Sequence, residues 1–193
     1  MTTSTSQTLR GARQRLLTAA ATLFYRDGIA ATGIDAIVKH AGVAKMSLYN
    51  HFDSKAALVA CYLEARHQEW LDLYARRLEQ ATTPLERILA VFFAYEDHAE
   101  LAHECGFRGC GLLNAAAELP AGALGRRAVR RHKEQVEALL AEHLAALTPD
   151  DLPGVQRRAQ RLAFLLEGAV MRAGLEENPH CLVEARRMAP ELL

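Results

Sequence analysis

Within a span of eleven residues the chain sets out three kinds of side chain that together suit one surface. Lys45, Ser47 and Asn50 are hydrogen-bond donors, Met46 is a soft apolar group, and Tyr49, His51 and Lys55 can reach outward. Donors and small apolar groups on a narrow helix are what the major groove of a duplex reads: amines and amides meet base edges, and a methionine meets a thymine methyl. Tyr49 and His51 are placed to touch phosphate oxygens at the groove edge, contacts that fix register rather than sequence. Lys55 adds charge at the start of the following helix, where the backbone already favours a phosphate. Bland alternatives exist for some of these: Tyr49 as a core aromatic with its hydroxyl at the surface, His51 packed beside Phe52, and Asn50 facing only solvent.

Two further groups bear chemistry. Phe92 and Tyr95 on one helix, with Phe93 beside them, and Cys110, Leu113 and Asn114 on the next, have the mainly apolar composition of a small-molecule cavity, although each equally suits an ordinary core. Glu64 with His67 and Glu100 with His103 have the Glu-x-x-His spacing of dimetal carboxylate bundles. That bundle also needs a glutamate on an earlier helix, and none precedes Glu64. No nucleophile motif or phosphate-cradling glycine loop is present, so no catalytic residue, metal or cofactor is expected.

The elements that must position these groups are helices. Apolar positions recur at helical spacing along the chain, and period-two alternation is absent. A first helix is expected from about Ala12 to Asp27, stopped by Gly28. A short second one runs over 34–40, with Ile34, Ile37, Val38 and Ala41 on one face before Gly42. A third over 45–51 turns only Leu48 inward, with Phe52 just beyond it. Asp53 or Ser54 can N-cap a long fourth helix. Later helices are expected at 84–103, 110–119, 121–147, 153–176 and 181–188, with Pro84, Pro120 and Pro153 at first-turn positions. The helix over 153–176 has two apolar stripes, one through Leu162, Leu166, Ala169, Val170 and Ala173 and another through Phe164, Met171 and Leu175. The second implies a partner chain, and the helix over 121–147 is expected to join it in a four-helix dimer interface.

The chain of 193 residues is long enough to bury a substantial core. Its zero net charge hides an asymmetry: seven basic against three acidic residues in positions 1–55, and sixteen against twenty thereafter. A basic head on an acidic body suits a polyanionic partner at the head. No membrane span or signal peptide is apparent and the four cysteines form no CxxC pair, so a cytoplasmic protein with free thiols is expected.

The short helices joined by Ala41-Gly42-Val43 match the helix-turn-helix, whose second helix lies in the major groove. With Ala20, Leu23, Phe24, Gly28, Thr32 and Ile37 before them, and Ser47-Leu48-Tyr49-Asn50-His51-Phe52 then Ser54-Lys55 and Leu58 after, residues 10–60 resemble the DNA-binding domain of the TetR family of bacterial transcriptional regulators. The resemblance implies an all-α homodimer with a DNA-reading head at 1–55, of which 1–9 is a flexible tail, and an effector-binding and dimerisation domain at 56–193. It implies double-stranded DNA and a small-molecule effector as partners, and repression relieved by that effector. Thr32 and its neighbour Gly33 would meet phosphate, Lys45, Met46 and Ser47 would face bases, and Tyr49, His51 and Lys55 would hold the backbone. Gly33 stands where the family commonly has a Ser/Thr cap, so that phosphate contact is either lost or passed to Thr32. The run from Gly109 to Glu118 resembles a stretch in which a cysteine answers electrophiles, which makes Cys110, with Cys105, a candidate sensor; an inert buried thiol is the alternative.

Overall fold

The computed structural model describes residues 2–101 and 106–193, with side chains from Gly11 onward. Among the described residues it is helical throughout and has no strand. The helices are α1 (Thr2–Asp27), α2 (Ile34–Ala41), α3 (Lys45–Tyr49), α4 (Lys55–Leu78), α5 (Pro84–Glu100), α6 (Gly111–Glu118), α7 (Leu124–Leu147), α8 (Leu152–Leu175) and α9 (His180–Met188). The first begins ten residues before its expected start, because no proline or turn interrupts the backbone ahead of Ala12; the stretch read as a tail is helical from Thr2. Pro120 lies in a turn before α7 rather than in its first turn, since Gly122 takes a left-handed conformation that delays the helix to Leu124. Pro84 sits at the start of α5 behind a capping box of Thr83 and Glu86.

Packing divides the chain into two units. The first comprises residues 1–66 and 111–128, the second 67–110 and 129–193. The segment 111–128 thus packs with the head, a grouping that chain order does not suggest.

In the first unit, Leu16, Ala20, Leu23 and Phe24 of α1 meet a core that also holds Ile37, Leu48, Phe52 and Leu58. Phe24 and Tyr62 pack edge to face at 5.5 Å between ring centroids. Each large apolar side chain taken fully from water contributes about 1.5–3 kcal/mol. In the second unit Ile88, Phe92, Leu140, Leu144, Leu162 and Leu166 are fully buried.

The inner stripe of α8 is buried as its spacing predicts, while Phe164, Met171 and Leu175 stand 63%, 50% and 79% exposed. The element beside that open face is α9, not α7. Helix α8 packs on α9, and the groove between them is lined by Phe164, Gly168, Arg172, Cys181 and Met188. Helix α7 spends Val136, Leu140 and Leu144 on its own bundle.

Candidate nucleic-acid interface

The turn that sets α3 against α2 depends on Gly42, which caps α2 at φ 63° and returns its N–H to the carbonyl of Lys39. A left-handed residue there reverses the chain within three positions, and glycine adopts it without steric cost. Leu48 then anchors α3 with no exposed surface, and the opposite side shows Met46 (69% exposed), Lys45, Tyr49 and Asn50 to solvent. Ser47 is half-buried. A single inward residue on so short a helix leaves the remaining side chains free to enter a groove.

Lys45 is held by Asp35 at 2.7 Å, both groups being exposed. That hydrogen bond, with the carboxylate's charge, raises the Lys45 pKa above its ordinary value. In the free protein, then, the cation best placed for a base edge is already engaged by an anion on the preceding helix.

Of the residues expected to meet phosphate, Thr32, His51 and Lys55 direct polar atoms onto the protein itself. Thr32 is buried and its hydroxyl donates to the carbonyls of Gly28 (2.6 Å) and Leu23 (3.3 Å), so it fastens the α1–α2 turn instead of facing outward. Gly33 is the N-cap of α2 and, lacking a side chain, makes no cap hydrogen bond. His51 buries its Nε2 without a partner and packs edge-on against Phe52, the alternative placement noted above. Lys55 is half-buried and donates to the carbonyl of Ile29 at 2.5 Å. Ser54 supplies the expected cap of α4, accepting from the Ala57 N–H. For Lys55, local spacing assigns the residue to a face, whereas the carbonyl of Ile29, 26 positions earlier, decides where its ammonium goes.

Sequence reasoning missed Glu118. From the end of α6 its carboxylate accepts from the N–H groups of Ile29 (3.0 Å) and Ala30 (2.7 Å), closing the turn after Gly28. Gly28 has φ 92°, and a Cβ there would lie 2.9 Å from the carboxylate. No local signal could have found a contact between residues about ninety positions apart.

The tentative effector residues separate. Phe92, Tyr95 and Cys110 are buried in the second unit, whereas Leu113 and Asn114 belong to the first, because the unit boundary falls between Cys110 and Gly111. Cys105 and His103 lie outside the described residues. What the second unit does assemble is a polar and aromatic cluster. Lys133 donates to the Tyr95 hydroxyl (3.3 Å), that hydroxyl meets His132 Nε2 (3.4 Å), and His132 Nδ1 meets His67 Nδ1 (2.9 Å). Lysine has only donors, so the Tyr95 hydroxyl accepts from Lys133, and the directions of the two histidine bonds follow the imidazole tautomers. Burial, helped by the charge on Lys133 and by His67 and His98, lowers the His132 pKa to about 3, and burial pushes Tyr95 up to about 12. Trp70 lies edge-on to His132 at 5.3 Å and stacks on Tyr74, and its buried indole N–H has no hydrogen-bond partner among the described residues. His67, read in sequence as half of a metal pair with Glu64, is committed to His132. Three cysteines, Cys61, Cys110 and Cys181, are free thiols.

Residues 16–61 match the family model for bacterial regulatory proteins of the tetR family. The chain is 38% identical over 92 residues to the HTH-type transcriptional repressor KstR2 of Mycolicibacterium smegmatis, a match spanning 47% of this chain and less than half, 44%, of that protein. Over nearly its whole length it resembles two solved structures. SCO4454, a TetR-family transcriptional regulator from Streptomyces coelicolor, has a TM-score of 0.85 at 28% identity, covering 95% of this chain and 94% of the other. The tetR transcriptional regulator SAV143 from Streptomyces avermitilis has a TM-score of 0.73 at 30% identity, covering 93% and 98%. With a helix-turn-helix braced as described and likeness of sequence and fold extending beyond it through the helical remainder, the chain belongs to the TetR family of transcriptional regulators, which are not enzymes.

Proposed function

We propose that the protein is a DNA-binding repressor that docks as a homodimer on a palindromic operator and responds to a small ligand. The observation that carries the DNA arm is the outward face of α3: one side chain anchors the helix and Lys45, Met46, Tyr49 and Asn50 are left open. In the dimer, two such helices would enter half-sites separated by one helical turn, about 34 Å, or a multiple of it. The exposed apolar stripe of α8, flanked by α9, supports self-association, the state in which TetR-family regulators act. The ligand arm is supported by the second unit, where Trp70, Tyr95, His132 and Lys133 bring together an indole donor with no partner among the described residues and a part-buried cation near Glu167, amid aromatic side chains. Cys110 borders it but is 8% exposed, which favours reversible ligand binding over attack by an electrophile from solvent.

The test is genome-wide capture of bound DNA, followed by salt-titrated binding to the captured operator and to an unrelated duplex. Tyr49→Ala is expected to weaken both duplexes alike. Lys45→Ala is expected to cost about 1–3 kcal/mol on the operator and little on the unrelated duplex. A Tyr49→Ala protein that changed only sequence preference, or nothing, would contradict the assignment.

Asp35 gives a prediction of opposite sign. Replacing it with asparagine removes an anion facing the phosphates and frees Lys45, and is expected to tighten operator binding about fivefold, or about 1 kcal/mol, at low salt. Fluorescence anisotropy across a salt series checks it, and in the double variant with Lys45→Ala the gain should shrink to the part due to the lost anion.

A further inference from the structure

The first unit contains a cavity that the DNA-binding reading leaves unused. It has a volume of about 560 Å³ and is lined by Val59 and Ala60 of α4, Leu119, Ala123 and Leu124 around the α6–α7 turn, and Lys55. The volume lies within the range of small-molecule sites, roughly 300–1,000 Å³. Its walls are aliphatic, without an aromatic ring, and Lys55 is the one charged residue among those lining it. The ammonium rests on a neutral partner, the carbonyl of Ile29, and among the described residues no carboxylate pairs with it. The nearby carboxylate of Glu118 is committed to the N–H groups of Ile29 and Ala30. An aliphatic wall with one uncompensated cation fits a molecule of matching build.

We infer that this cavity binds a small amphiphile made of an aliphatic body and an anionic head, with the head on Lys55 Nζ and the body against Val59, Ala60, Leu119 and Leu124. The body leaves water by entering the cavity, and the head gives Lys55 a charged acceptor in place of a carbonyl. The site stands on the cavity alone. Its effect on DNA rests on the proposed reading and on Lys55 exchanging the Ile29 carbonyl for a phosphate when the head docks; a ligand that holds the ammonium would then loosen DNA by acting directly within the head.

Decanoate is the probe, with decanol and decylamine as uncharged and cationic counterparts, in calorimetric titrations of the full-length protein. Wild type is expected to bind decanoate, decanol more weakly and decylamine not at all. Lys55→Gln should lower decanoate affinity about tenfold, to the level of decanol. Ala60→Phe, at an exposed helix position on the wall, should fill the space and remove binding of both, with the circular dichroism of the helices unchanged. Decanoate binding that survives both substitutions, equal binding of decylamine, or no binding of decanoate to wild type overturns the proposal. In a parallel arm, decanoate should weaken low-salt duplex binding by wild type and leave Ala60→Phe unaffected. Failure of that arm alone, with ligand binding lost in the variants as expected, strikes the coupling to DNA and not the site; a wild type that ignores duplex DNA altogether strikes the proposed function instead.

Discussion

Gly174→Ala is expected to destabilise the protein by about 2–3 kcal/mol, although the same change in an open helix position helps by up to about 1 kcal/mol. Gly174 lies on α8, and a Cβ there would sit 2.5 Å from the backbone nitrogen of Gly109 and 2.7 Å from the carbonyl carbon of Arg108. Both are main-chain atoms, so no rotamer change relieves the clash. Gly109 itself is left-handed, with φ 82°, and its own missing Cβ faces the Val170 carbonyl at 3.2 Å. The two glycines therefore allow α8 and the stretch leading to Cys110 to touch backbone to backbone. An alanine must push one of them aside and open the packing around Phe107 and Cys110, both buried. For a chain of this size the loss corresponds to about 5–10 °C in Tm. Gly11→Ala is the comparison, since that glycine is in α1 with nothing within 4 Å of the added carbon. Thermal unfolding of the two variants should move in opposite directions; a Gly174→Ala protein as stable as wild type would show that the close approach is not required.

The second large effect is one of pH. His132 has its folded pKa lowered from 6.5 to about 3, mainly by burial and then by Lys133, His67 and His98. Below pH 6.5 the unfolded chain accepts a proton that the folded one refuses, so protonation draws the protein toward unfolding. Stability from this residue is complete above the unfolded value and is lost progressively as the pH falls toward about 3. At 1.36 kcal/mol per pH unit, lowering the pH from about 7.5 to about 5 should cost about 2 kcal/mol. His143, also lowered by burial, acts in the same direction. Urea unfolding followed by the fluorescence of Trp70, the chain's single tryptophan, measures the change. His132→Gln should flatten most of the slope, and a slope that survives that substitution would assign it elsewhere.

How far the sequence carries these results depends on the reach of each contact. The helix-turn-helix was legible because its determinants are local: Gly42 must turn, Leu48 and Phe52 must be buried, Ser54 must cap, and each lies within a few positions of what it shapes. The all-helical architecture and the open stripe of α8 were legible for the same reason, since helical periodicity shows which side chains share a face. What escaped were polar atoms whose partners lie far along the chain. Lys55 reads as a surface cation, yet its acceptor is 26 residues away. His67 shares only a spacing with Glu64, whereas its bond is to a histidine 65 positions later. The interleaving of His132 and His143 with Val136, Leu140 and Leu144 on one face of α7 was the available sign of buried histidines. Spacing on one helix says that a group is buried without saying what it meets.

The placement of Glu118 bears on how such regulators can be recombined. The turn that seats Ile29 and Ala30 is finished by a carboxylate encoded almost ninety codons downstream, so the reading head is not a cassette that ends where its recognition motif ends. A chimera that transplants the first sixty-odd residues onto another body inherits a turn with two unsatisfied amides unless residues 111–128 travel with them or the host supplies an equivalent acid. The fold of the head is thus an inheritance from two stretches of gene, and drift in the second can loosen a turn in the first.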